Sequence, residues 1–162
     1  LMEAVLEGDV APTPAYGGGL LILCKPYSAI LALHPGGKGD VTKTAVAWVI
    51  EEGAPDTTSP VANDDLLFIP NNSYLSCHDV RTGNKLWEHD LESNVYASPV
   101  IAAERVYVLD LQGVMHILSA SRTLKPLGKV AMSEGGMATP AFVGGDIYLR
   151  MGSGLYRIGG GA

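Results

Sequence analysis

The chain is short of charge, of cysteine and of long apolar runs. Only 17% of its 162 residues are charged, against 47% hydrophobic, so a folded globular chain is expected and disorder is not. Acidic residues outnumber basic ones by 17 to 11, for a net charge of −6. Non-specific nucleic-acid binding and docking on anionic membranes both need a basic face, and this balance argues against each. Two cysteines, Cys24 and Cys77, are too few for a disulfide framework, and free buried thiols are the expectation. No run approaches the roughly 18 consecutive apolar residues of a membrane span. No basic, apolar, small-residue leader opens the sequence, which starts inside an apolar segment at Leu1-Met2-Glu3 and reads as a fragment. No segment carries a convincing 3.6-residue period, so helices are expected to be few or absent.

Turn formers, by contrast, are plentiful, with 20 glycines and 10 prolines, as suits many short strands. They are ordered by a repeat. Ser/Thr-Pro occurs at Thr13-Pro14, Ser59-Pro60, Ser98-Pro99 and Thr139-Pro140, with successive prolines 46, 39 and 41 positions apart. After each come a short apolar stretch, a turn and a second apolar run, over 20–24, 66–70, 106–109 and 147–149. A third run opens in register, with Ile30, Leu75, Met115 and Leu155 lying 16, 15, 16 and 15 positions after their prolines. A fourth begins 12 positions later at Trp87 and Leu127, and 18 later at Trp48. The six additional residues of repeat one fall in a glycine-rich turn over 35–40, where an insertion leaves strand register intact.

These short runs, partly β-branched or aromatic and bounded by Gly, Pro, Asn or Asp, have the chemistry of strands. Four strands per 40-odd residues is the arithmetic of a β-propeller blade. The predicted fold is therefore all-β, a single domain of four blades, each of four antiparallel strands. The repeats cover approximately 11–53, 57–94, 96–135 and 137–159. Residues 2–7 align with 87–92, sharing Glu, Leu and Glu, and read as an outer strand closing a blade. At the other end, 155–158 is a third strand without a fourth. The expected total is sixteen strands, with the amino-terminal one placed to complete the last blade and remove its edge.

The stretch from Tyr74 to Trp87 carries a resemblance. Its Asp79, Thr82, Gly83 and Trp87 match the PQQ-like (pyrroloquinoline quinone-type) repeat, a strand reading roughly Leu-Tyr-Ala-Leu-Asp-Ala, a Thr-Gly turn, and Trp four positions after the Gly. Repeat one keeps Trp48. Repeat three keeps the strand over 114–120 but has Ser119 for Asp and Leu127 for Trp. Repeat four keeps Ala138-Thr139-Pro140-Ala141 and Gly154-Leu155-Tyr156. The sequence thus resembles the PQQ-like β-propeller family over nearly its whole length. Thr-Gly supplies a hydrogen-bonding side chain and a residue tolerant of positive φ; Trp supplies an apolar plate with a polar handle. In the family such tryptophans lock neighbouring blades, which implies that Trp48, Trp87 and Gly83 are blade-docking residues. The resemblance also implies rings of seven or eight blades. Four blades are half of an eight-bladed ring, or a small closed ring. The favoured assembly is a homodimer in which residues 2–6 of one copy pair with 155–158 of the other.

The search for chemistry yields little. His34, His78, His89 and His116 lie on different runs without metal-ligand spacing. His78-Asp79 and His89-Asp90 are adjacent, and neighbours on a strand point to opposite faces. His78 aligns with Leu33, Leu118 and Ile158 and reads as a packed histidine. There is no Gly-x-Ser-x-Gly elbow, and Gly17-Gly18-Gly19 is a turn rather than a phosphate loop. Asp64-Asp65 reads as a solvated turn, and Asn71-Asn72-Ser73 matches a glycosylation triplet. A quinoprotein dehydrogenase of the resembling family would carry adjacent cysteines over its quinone, a Trp platform, and an acid and amide set on calcium. Here the adjacent cysteines are missing and both tryptophans occupy repeat positions.

No catalytic residue, cofactor or metal is therefore assigned. The expectation is a non-catalytic scaffold for a protein or peptide partner. An outer-membrane assembly lipoprotein is the nearest analogy, and a periplasmic or exported location is implied by the resemblance alone. A fragment of a PQQ- and calcium-dependent dehydrogenase, and a sensor or carbohydrate-associated propeller of an exported bacterial protein, are the alternatives. The candidate binding face is built from turns between second and third strands, bearing Tyr27, Ser28, Asn71, Asn72, Gln112 and Ser153. Inter-blade loops add Asp56, Thr57, Asn94, Tyr96, Glu134 and Met137. Mixed amide, hydroxyl and aromatic groups suit peptide or sugar contacts.

Overall fold

The computed structural model describes residues 2–3 and 11–159. Among them it has seventeen strands and no helix. The short β1 (Met2–Glu3) precedes a first sheet of β2 (Ala15–Gly17), β3 (Leu20–Lys25), β4 (Ala29–Leu33) and, beyond β5 (Gly39–Asp40), β6 (Val46–Ile50). A second sheet follows from β7 (Val61–Ala62), β8 (Leu66–Asn71), β9 (Tyr74–Asp79) and β10 (Lys85–Asp90). The third comprises β11 (Val100–Ala102), β12 (Arg105–Leu109), β13 (Val114–Ser119) and β14 (Pro126–Ala131). The last has three strands, β15 (Ala141–Val143), β16 (Asp146–Arg150) and β17 (Leu155–Ile158). All four sheets are antiparallel meanders with strands paired in chain order. The chain is a partial β-propeller of four blades.

The strand chemistry explains the stacking. Side chains alternate along a strand, so each middle strand presents two faces to two neighbouring blades. In β8, Leu66 and Phe68 pack toward the third blade while Leu67 and Ile69 pack toward the first, and all four are buried. Residues buried on both sides must be apolar throughout, which is why these strands read as continuous runs rather than alternations. Phe68, Leu67 and Leu75 lose their water contact almost completely, each stabilising the stack by roughly 1.5–3 kcal/mol. A third cluster, around Leu109, Met115, Leu149 and Met151, joins the last two blades. The first strands β2, β7 and β11 lie side by side, and the last strands lie outermost.

A second device links the blades. The Thr13 backbone N–H donates to the Ser59 hydroxyl at 2.9 Å, Ser59 N–H to the Ser98 hydroxyl at 2.9 Å, and Ser98 N–H to the Thr139 hydroxyl at 3.0 Å. These are the residues before the four repeat prolines. A following proline holds its predecessor in extended backbone, so amide and hydroxyl both point sideways, one to each neighbouring blade. The Ser/Thr-Pro dipeptides are thus links of one thread.

The two flanks of the arc differ. On the outward side of the first blade, Leu21, Leu23, Leu31 and Val46 pack against Leu33, Val41 and Ala45. Val41 and Ala45 come from the segment carrying the glycine-rich insertion, which is closed by His34 N–H on the Ala45 carbonyl at 2.8 Å. The insertion therefore folds back as a partial cap. Its β5 pairs in parallel with β1, Met2 opposite Gly39 and Glu3 opposite Asp40. Sixteen strands were expected; β5 is the addition, formed where the sequence reads only as a turn. The amino-terminal strand, expected over residues 2–7 to complete the last blade, pairs over Met2–Glu3 with the insertion of the first blade instead, and past Glu3 it lies outside the described residues. At the far flank β17 is, among the described residues, the last strand of its sheet, and Val143 and Leu155 are exposed.

Candidate functional site

The loops expected to form a binding face are drawn together by backbone hydrogen bonds. Val95 N–H donates to the Asn72 carbonyl at 2.9 Å, Leu111 N–H to Asn94 at 2.9 Å, and Gly152 N–H to Gly135 at 3.1 Å. The second and third inter-blade loops are thereby stitched to neighbouring strand turns. Tyr27 and Asn72 occupy the turn positions with φ of 58° and 53°. That left-handed region is tolerable for Asn and strained for Tyr.

Seven of the twelve predicted face residues converge. Asn71, Asn72, Asn94 and Tyr96 line a small cleft of about 30 Å³ together with Asp56 and Thr58. Tyr27, 84% exposed, reaches over to donate its hydroxyl to Asp56 Oδ2 at 2.7 Å. Thr57 Oγ1 donates to the other carboxylate oxygen at 3.1 Å. The Tyr27 hydroxyl bond, with lesser help from Thr57, holds the Asp56 carboxyl below its ordinary range, and the same bond pushes the Tyr27 phenol up. Asp56 is therefore a fixed anion at the centre of amide, hydroxyl and aromatic groups drawn from three blades.

The other five residues lie elsewhere. Ser28 closes its own turn through N–H to the Lys25 carbonyl at 3.1 Å. Ser153 is held by Glu134, which accepts from its N–H at 3.0 Å, its hydroxyl at 2.8 Å and the Tyr156 hydroxyl at 2.7 Å. These donors, Tyr156 first, hold the Glu134 carboxyl low. Met137, 68% exposed, lines a separate open cleft of about 520 Å³ with Arg150 and Gly152. Gln112 sits on a turn organised by Asp110, whose Oδ1 accepts from Gln112 N–H at 2.9 Å and Val114 N–H at 2.8 Å.

The blade-docking residues are placed at interfaces. Trp48 Nε1 donates to the Val80 carbonyl of the next blade at 3.0 Å, and Trp87 Nε1 to the Ser121 carbonyl at 2.9 Å. Trp87 also tilts against Phe68, with ring centroids 5.8 Å apart. Gly83 has φ +74°, and a Cβ there would meet the Trp48 ring at 2.9 Å. Cys24 and Cys77 are free and buried, in different blades.

Two pairs escape a reading of neighbours along the chain. Asp110 Oδ2 and His116 Nε2 meet at 3.0 Å, fully buried, across the β12–β13 hairpin. Ser76 Oγ and His78 Nε2 meet at 2.9 Å. The first needs the hairpin register; the second was available from the i, i+2 rule for strands.

The sequence profile of a family described as outer membrane protein assembly factor BamB matches residues 38–126 and, in a second placement, 71–157. The chain belongs to this PQQ-like propeller family. The crystal structure of BamB from Moraxella catarrhalis superposes with a TM-score of 0.74 at 18% identity, over 92% of this chain and 46% of that one. The chain therefore spans about half the length of BamB. Quinohemoprotein alcohol dehydrogenase ADHIIG from Pseudomonas putida HK5 gives 0.69 at 13% identity, over 90% of this chain and 28% of that one. The computationally designed Ika4 protein gives 0.66 at 14% identity, over 98% and 97% of the two chains. At these identities the likenesses speak for the PQQ-like fold alone. No curated protein matches the chain.

Proposed function

We propose that the chain is a protein- or peptide-binding propeller module of BamB type, working in an exported or periplasmic setting. The observation that carries this reading is the convergence of Tyr27, Asn71, Asn72, Asn94 and Tyr96 around the fixed anion Asp56. An anion ringed by amides and flanked by two tyrosines suits an extended peptide with a basic side chain. The family match supports a protein partner over a redox substrate. A quinone site of dehydrogenase type does not fit these residues, because Cys24 and Cys77 lie in separate blades and cannot form a vicinal disulfide.

We further propose that the ring is completed by a second copy. Three features favour it: the edge of β17, which no described residue pairs, the exposed Val143 and Leu155 of the last blade, and a thread that leaves the Thr13 hydroxyl and the Thr139 N–H as complementary ends. Pairing of residues 2–6 with Leu155–Ile158 of the partner would seal the edge, with Met2–Glu3 leaving their pairing to β5 as the copies join. Screening a peptide library on the immobilised chain tests the face. Binders should be enriched in Arg or Lys and lose affinity on Asp56→Asn and Tyr96→Ala. Binders indifferent to both substitutions would remove the face reading. Light scattering tests the second copy, and a single-chain mass at micromolar concentration ends that proposal.

A further inference from the structure

A cleft of about 390 Å³ opens between the first and second blades. Ser76 and His78 line it from β9, two residues apart and so on one face of the strand. Ser76 Oγ lies 2.9 Å from His78 Nε2, and His78 Nδ1 lies 2.9 Å from the Gly83 carbonyl oxygen. A carbonyl can only accept, so the neutral ring carries its proton on Nδ1 and turns a bare Nε2 to the serine hydroxyl. Burial holds His78 below the ordinary imidazole range, so this neutral form prevails at pH 7. The Ile69 carbonyl, at 3.3 Å from Ser76 Oγ, is the longer alternative for the same proton. Gly83 is itself fixed by the Trp48 ring packed on it. Carbonyl, imidazole and hydroxyl thus stand in line as orienter, base and nucleophile, with a main-chain oxygen in the orienting place.

This arrangement breaks the repeat. The aligned positions hold Leu31 and Leu33, His116 and Leu118, and Tyr156 and Ile158 in the other blades. A polar pair at two positions that elsewhere hold an apolar partner is where a functional site is expected.

We propose that Ser76 and His78 form an acyl-transfer site that hydrolyses small carboxylic esters. Ile30, Ile50 and Ile69 line the cleft as an apolar wall for the acyl group, and Asn84 lines it with a side-chain amide able to donate to an oxyanion. Ser76 Oγ attacks the ester carbonyl carbon as its proton passes to His78 Nε2. The adduct collapses by breaking the bond to the alcohol oxygen, and the alcohol leaves with that proton. Water, giving a proton to Nε2, then cleaves the acyl–Ser76 bond. The carboxylic acid departs and the serine hydroxyl is restored, so ester plus water gives acid plus alcohol. The site lies in an inter-blade cleft and does not rest on the peptide-binding reading of the face.

The test uses the whole chain with a fluorophosphonate probe and with p-nitrophenyl butyrate. A phosphonyl adduct is expected on Ser76, located by mass spectrometry of the digest, together with ester hydrolysis that persists below pH 6.5. Ser76→Ala, which removes one oxygen, should abolish both while leaving the melting curve in place. His78→Gln should slow both by about 100-fold or more. An adduct on another residue, no adduct, or equal hydrolysis by S76A overturns the proposal.

Discussion

Alanine at position 83 probes how one blade is fixed on the next. A Cβ there meets Trp48 Cδ2 and Cε3 at 2.9 Å, closer than carbon atoms pack. The residue must also sit at φ +74°, a conformation that costs an L side chain roughly 1–2 kcal/mol. Relief of the clash requires Trp48 to move, yet its indole is tied to the Val80 carbonyl at 3.0 Å. Overpacking of this kind costs roughly 1–3 kcal/mol, so Gly83→Ala should destabilise the chain by roughly 2–5 kcal/mol in all. Gly19→Ala is the control. Gly19 has φ +81° with nothing within 4 Å of an added Cβ, so only the backbone part, roughly 1–2 kcal/mol, applies. Urea unfolding followed by far-UV circular dichroism measures both. The melting temperature should fall by roughly 2–4 °C per kcal/mol for a chain of this size. Equal losses for the two variants would refute the reasoning, since Gly83 would then serve its turn alone and not the seat of Trp48.

Three further outcomes are expected. Burial pushes the Cys24 and Cys77 thiols up to about 12, so Ellman's reagent at pH 8 should find almost no reactive thiol until denaturant exposes both. Burial also holds His78 and His89 below the ordinary 6.5. The unfolded chain then takes up protons that the folded chain does not. Stability should be full above pH 6.5 and decline below it, ahead of any carboxylate loss near pH 4; a flat melting temperature from pH 7.5 to 5.5 would contradict this. Asp79 accepts from Arg81 N–H, Thr82 N–H and the Thr82 hydroxyl at 3.1 Å each, and from Arg122 across the blade interface at 2.8 Å. Asp79→Ala should cost roughly 2–3 kcal/mol by unmaking the turn, whereas Arg122→Ala, losing one exposed ion pair, should cost under about 1 kcal/mol.

The fold was legible because a propeller is written once per blade. The spacing of Pro14, Pro60, Pro99 and Pro140 fixes the register of the runs, and a two-faced apolar strand such as β8 cannot be read as anything but a middle layer. The glycine-rich turn of repeat one was legible as an insertion but not as β5 and a flank cap, because parallel pairing of Gly39 with Met2 depends on a contact 37 positions away. The face was legible in part. Tyr27, Asn71, Asn72, Asn94 and Tyr96 converge because topology alone brings their loops to one end. Gln112 and Ser153 stand on equivalent turns, but Asp110 and Glu134 organise those turns locally. The pairs Ser76–His78 and Asp110–His116 went unread for different reasons. Ser76 and His78 meet at i, i+2 rather than as chain neighbours, and Asp110 meets His116 only through a hairpin register that no single run reveals.

The hydroxyl thread through Thr13, Ser59, Ser98 and Thr139 also bears on how such a chain changes over generations. Its joint is generic: a main-chain amide on one side and a Ser or Thr oxygen on the other, both present in every repeat. As far as this joint goes, any repeat can follow any other. A gene duplication or deletion of one whole repeat rejoins this thread without a new hydrogen bond, leaving only the apolar and Trp packing of the seam to adjust. The joint is also directional, since each blade gives its amide forward and offers its hydroxyl backward, so an array lengthens in one sense only. Blade number becomes a property that a lineage can alter in single steps, while the hydroxyl thread of each seam stays the same.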